Sequence, residues 1–168
     1  MASDPASLAQ NPFALLSLIA APAVLTNAAS VLALSTSNRF VRASDRLRAL
    51  TARYDETTDA AKRALLMDML RRVQRQAAML LHALRSAYIA IGAFVTASLI
   101  SILGAGVAAS KFHDLFVGFA GLALAVGIFG AGGIVSASVN LLGATRLALM
   151  NINEEVEAIE KRDLAAKK

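Results

Sequence analysis

Two histidines, His82 and His113, are the only side chains in this sequence that titrate near neutral pH when unperturbed. His113 stands next to Asp114 in the string Lys111-Phe112-His113-Asp114. A metal centre needs three or four converging ligands, and this string offers two neighbours, so it reads as a solvated turn. Cysteine is absent, which removes a thiol nucleophile, a thiolate-held metal and a disulfide framework. Serines are many, but none stands with a histidine and a carboxylate in a recognisable triad order. No Gly-rich phosphate loop ends in a lysine. The expectation is a protein with no catalytic residue, no metal and no cofactor.

The elements that would position these residues explain why chemistry is scarce. Apolar residues make up 57 % of the 168 and charged residues 17 %, against about 45–50 % apolar in an ordinary soluble domain. Three runs carry no Lys, Arg, Asp or Glu: Pro5 to Asn38, Ser86 to Ser110 and Leu115 to Thr145. A membrane-spanning helix needs roughly 20 mostly apolar residues, and each run is longer than that. A soluble globular enzyme, a disulfide-stapled secreted domain and a disordered tail are all excluded. No acidic residue lies inside a span, where proton relays and ion-coupled transport usually need one.

The first run reads as a retained span. Its leading segment, MASDPASLAQNP, has no basic n-region, and the apolar stretch from Phe13 to Ser35 is too long for the core of a signal peptide. Pro12 suits a first helical turn, and Pro22 inside the span is expected to kink it. Ala23, Thr26, Asn27 and Ser30 form a small polar stripe, a candidate pore lining or helix-contact face.

The expected boundaries are an outer segment at 1–12, spans at 13–38, 86–110 and 115–141, and an outer loop at 111–114. A basic helical hairpin at 39–85 and a helical tail at 142–168 complete the chain. Arg39 to Arg85 holds eleven basic residues, the tail five, the short outer loop Lys111 alone, and the leading segment none. Basic residues accumulate on the cytoplasmic side, so the expected orientation is N-terminus outside and C-terminus inside. The net charge of +5 is then a topology signal, and nucleic acid is not an expected partner.

The charged parts have helical periodicity. Phe40, Ala43, Leu47, Leu50 and Tyr54 recur at spacings of three and four, as do Leu66, Leu70, Val73, Ala77, Leu80 and Leu84. Leu142, Thr145, Leu149, Ile152, Val156 and Ile159 repeat the pattern after the third span. This spacing is the seam of helices crossing at a shallow angle. Asp55 to Asp59 favours a turn and an N-cap between the first two series. With no Gly or Pro from Asn38 to Ser86, each span is expected to continue as one helix into a short coiled-coil-like stalk. Glu154, Glu155, Glu157 and Glu160 complement a hairpin of net charge +6. The fold class is therefore an all-α membrane protein of three transmembrane helices with helical cytoplasmic extensions.

Two further groups stand out. Gly104, Gly118, Gly121, Gly127 and Gly130 are candidates for close helix packing, since lipid supplies no hydrophobic force between helices and contact must drive association. Arg39, Arg42, Arg46, Arg48 and Arg85 are candidates for contact with anionic lipid or an acidic partner, because a basic cluster beside a span is the footprint of such recognition. Asp45 shares a helix face with Arg42 and Arg48.

Three strings carry a resemblance: "LALSTSNRF" at the end of the first span, "DRLRAL" at Asp45 to Leu50, and "LRRVQRQAAMLLHALRSA" leading into the second span. With them the chain resembles the bacterial membrane family known as domain of unknown function 2721, over roughly residues 13–160. The resemblance implies three spans and a bacterial inner membrane, and no reaction. Two function classes follow. One is a non-enzymatic scaffold, accessory subunit or self-assembling component, a homo-oligomer or part of a larger membrane complex in contact with anionic inner-leaflet lipid. The other is a homo-oligomeric small-ion pore lined by the first span. The orientation is testable directly: alkaline phosphatase fused after Lys168 should be inactive, whereas an active fusion would reverse the assigned sidedness.

Overall fold

The computed structural model describes residues 12–108 and 113–166, with side-chain detail as far as Met150. Three helices account for them: α1 (Pro12–Glu56), α2 (Ala60–Ala108) and α3 (His113–Ala166). They contain 45, 49 and 54 residues, or contours of about 68, 74 and 81 Å at 1.5 Å per residue. Each is long and apolar enough to cross a membrane and has residues to spare. α1 runs through Pro22 without interruption, and both α1 and α2 pass beyond their charge-free runs as continuous helix, as the lack of Gly and Pro predicts.

The break between α1 and α2 has a local cause. Thr57 donates its hydroxyl to the Arg53 carbonyl at 2.7 Å, and its N–H reaches Tyr54 O at 3.4 Å. Asp59 then caps α2, its Oδ1 accepting the Ala61 N–H at 2.9 Å. Arg63 lies over the Tyr54 ring, 4.5 Å from its centre, and ties the two helix ends together.

Packing divides the chain into two compact units: Met1–Leu34 with Arg85–Ser136, and Ser35–Leu84 with Ala137–Lys168. In the first, Ala29, Ala90 and Phe94 form the centre of the core, with Ile91 and Ile134 against them. In the second, Ala43, Leu80 and Ala144 do so, flanked by Phe40, Ala77, Met79 and Leu141. Alanine dominates the buried apolar set, while large side chains such as Leu99, Leu124, Ile128 and Phe129 face outward. That is the reverse of a protein packed in water, and it is what helices do in lipid.

The buried positions fall on two of the three expected stripes and off the third. Ala43 and Leu50 of α1 and Val73 and Leu80 of α2 are buried where the 3–4 spacing puts them. On α3, however, Leu142 and Leu149 are each 56 % exposed, and the buried line is Phe116, Ala123, Gly130, Ala137 and Ala144, a strict repeat of seven. The expected seam follows Leu142 and Leu149, whereas in that part of the helix Ala137 and Ala144 are turned inward. Ile152, Val156, Ile159 and the four tail glutamates lie outside the described side chains.

Glycine makes two of the close approaches possible. A Cβ on Gly130 would stand 2.8 Å from Phe94 Cε1, so the ring occupies the notch that the missing side chain leaves. A Cβ on Gly104 would meet Phe119 Cβ at 3.0 Å. Gly118, by contrast, has nothing within 4 Å of such an atom. Gly130→Leu should therefore lose most of the folded protein recovered after detergent extraction, overpacking of this kind costing about 1–3 kcal/mol or more. Gly118→Leu should be recovered like the parent; equal recovery of both would refute the notch.

Candidate functional site

α1 places Arg39, Arg42 and Arg46 on one face at steps of three and four. They line a groove of about 400 Å³ in the second unit, together with Ala43, Gln76, Leu80, Ala144, Thr145 and Ala148. The floor is the apolar cluster of Ala43, Leu80 and Ala144. Arg39 Nη1 donates to Thr145 Oγ1 at 3.5 Å, and that hydroxyl donates onward to Leu141 O at 2.9 Å. Arg42 Nε donates to Asn38 O at 3.2 Å. The lining contains no carboxylate. Three guanidinium groups over an apolar floor have the chemistry to pair with a phosphate or carboxylate that carries hydrocarbon.

The other two arginines are placed differently. Arg48 is 3.9 Å from Asp45 with both side chains well exposed, an ion pair worth about 0–1 kcal/mol. Arg85 is exposed and belongs to the first unit. So three of the five candidate arginines share one site. Gln76 and Thr145, on the other two helices, complete it; neither had been assigned to it from the sequence, because spacing along one helix says nothing of what faces it across a groove.

The first-span stripe lies largely outside the chain's own helix contacts. Ala23, Asn27 and Ser30 are exposed and Thr26 is half-buried, whereas α1 turns Ala29, Ala33 and Thr36 inward. The Thr26 hydroxyl donates to Pro22 O and the Ser30 hydroxyl to Thr26 O, each at 2.8 Å. The glycines divide as well. Gly104 and Gly130 are filled by Phe119 and Phe94, while Gly118, Gly121 and Gly127 meet no atom within 4 Å of an added Cβ.

A second cavity, about 560 Å³, lies in the first unit between all three helices and is almost wholly apolar. Ser101 lines it, is 1 % exposed, and its Oγ has no hydrogen-bond partner among the described residues. A buried hydroxyl left in that state costs about 1–3 kcal/mol. His82 is exposed, with Nδ1 2.8 Å from Ala78 O, and Asp114 is exposed. No three metal-ligating side chains converge among the described residues.

Three long apolar helices with small residues inward and large residues outward define a multi-pass α-helical membrane protein. The chain belongs to the family described as protein of unknown function DUF2721, whose model matches residues 19–152. No curated protein and no solved structure matches it.

Proposed function

We propose that this protein works by contact rather than catalysis, as a self-assembling scaffold or accessory subunit of the bacterial inner membrane, with its N-terminus outside and its C-terminus in the cytoplasm. The observation that carries the proposal is a second small-residue face on α3. Gly118, Gly121, Ala125 and Gly132 are all exposed, fall within about 60° of one another at 100° per residue, and lie opposite the buried line through Ala123 and Gly130. The three glycines meet nothing within 4 Å of an added Cβ. Glycine in a helix interior costs about 1 kcal/mol relative to alanine, and in lipid such a face is useful only where another backbone comes close. Gly121 and Ala125 have the small-xxx-small spacing of that contact. The sixteen-to-one split of basic residues supports the orientation.

The groove of Arg39, Arg42 and Arg46 fits the same reading: it anchors the protein at anionic headgroups of the cytoplasmic leaflet. The pore reading rests on the stripe of Ala23, Thr26, Asn27 and Ser30, exposed except at the half-buried Thr26, which copies arranged around an axis would bring together. Its two hydroxyls are already donated to their own backbone, which suits a helix surface in lipid or in contact as well as one in water.

Two measurements test this. Light scattering of the purified protein in mild detergent should give a mass several times 17.5 kDa, or a stable complex with a partner. Gly121→Leu should reduce it to single chains with helicity unchanged; a parent that is already a single chain without a partner defeats the proposal. Ion flux from liposomes holding this protein alone, cut by Ser30→Leu, would replace the scaffold with the pore. For the groove, native mass spectrometry should show anionic phospholipid retained by the parent and by Arg48→Gln. Retention should fall about tenfold or more in the combined Arg39→Gln, Arg42→Gln and Arg46→Gln variant, each charge-assisted bond contributing about 1.5–3 kcal/mol. Equal retention in all three would remove the headgroup site.

A further inference from the structure

Many hydroxyls of this chain find a partner within it, and Ser86 and Ser136 share a bond at 3.2 Å. Ser17, Thr26, Ser30, Thr51, Thr57, Thr96 and Thr145 each donate to the carbonyl four residues earlier, at 2.7–3.0 Å. Ser101 makes no such bond. It sits at the cavity wall with its Oγ buried and unpartnered among the described residues. A buried donor in an apolar site is costly, and a partner supplied from outside the chain removes the cost.

The rest of the lining says what kind of partner. No ionisable residue lines the cavity, and a charge placed there would be unpaired in a low dielectric, so the lining suits an uncharged molecule. Ser17, the other hydroxyl in the wall, is committed to Phe13 O at 2.9 Å. Phe94, fully buried, and Phe116, 4 % exposed, flank the space. The volume of about 560 Å³ falls within the range of small-molecule pockets. At about 30 Å³ per heavy atom, the share of a water molecule in the liquid, it has room for roughly 20 non-hydrogen atoms. We propose that this cavity binds one uncharged, lipid-soluble molecule through a carbonyl oxygen that accepts the Ser101 hydroxyl hydrogen, with its hydrocarbon lying against Pro22, Phe116 and Gly127. The carbonyl belongs either to a ring, as in a quinone, or to the ester of a lipid. The inference does not depend on self-assembly.

The test uses the full chain in nanodiscs and three radiolabelled probes: a decyl-substituted benzoquinone, methyl palmitate, and dodecylcyclohexane, which has no carbonyl. At least one carbonyl probe should bind saturably at one per chain, the quinone or the ester identifying the source, and the plain hydrocarbon should bind more weakly. Ser101→Ala keeps the Cβ and removes only the unpaired hydroxyl. It should weaken the carbonyl probe roughly two- to tenfold, the worth of one hydrogen bond, and leave the hydrocarbon unchanged. Gly127→Leu puts a side chain into the cavity from a position with nothing within 4 Å and should abolish binding, with helicity and elution volume confirming that it folds. Saturable binding of neither carbonyl probe, equal binding of the plain hydrocarbon, or indifference to Ser101→Ala would overturn the proposal, as would full binding by Gly127→Leu.

Discussion

A helix in hydrocarbon gains nothing by hiding leucine, so the helices of this protein can hold one another only where their backbones come close. Everything else in the structure follows from that constraint. Among the described residues eleven of the sixteen buried apolar ones are alanine, and α2 alone contributes Ala83, Ala87, Ala90, Ala93 and Ala97 in one band. Where a large side chain is buried, its neighbour gives way, as Gly130 does for the Phe94 ring. Backbone hydrogen bonds must also be satisfied within each helix, because the surrounding lipid offers no partner. Past the charge-free runs no Gly or Pro interrupts the chain, and α1 and α2 continue into the basic hairpin without a break.

The same economy of side-chain volume creates the two spaces. In the first unit Ala21, Ala120, Ala123, Gly127 and Ala131 come from two helices to one region, and no side chain among them is large enough to fill it. Phe94 and Phe116 bound the gap, and Ser101 is left facing no acceptor. In the second unit Ala43, Ala144 and Ala148 leave a shallow floor beneath Arg39, Arg42 and Arg46. A bundle sewn together by small residues leaves spaces wherever small meets small, and what lines each space decides whether it suits a neutral or an anionic molecule.

Much of this was legible in the residue order. The three runs without charge located the helices that can span, and Asp59 and Thr57 marked the α1–α2 turn. The seam through Ala43 and Leu50 followed from spacing alone. What failed was the choice between neighbouring stripes. On α3, Leu142 and Leu149 and the line through Ala137 and Ala144 both repeat at intervals of seven, and periodicity cannot rank them. Ranking depends on what stands opposite, and here Ala144 meets Ala43 and Leu80 of the other two helices. The glycines illustrate the same gap, since Gly104 and Gly118 look equivalent along the chain and only one has a neighbour. Ser101 could not be singled out at all, because its distinction is a missing hydrogen bond.

The exposed large residues of α3 bear on what surrounds the protein. Val135 and Val139 are exposed, as are Leu142, Leu149 and Met150 further along the helix. The last two lie beyond Arg146, where the charge-free run has ended. Below Thr145 the case for lipid weakens with each charged residue, yet the apolar surface continues. A soluble surface tolerates single exposed apolar side chains, but a row of them along one helix marks a contact. Leu149 and Met150 past the charge boundary are thus a second feature, beside the glycines that meet nothing within the chain, that lipid alone explains only in part.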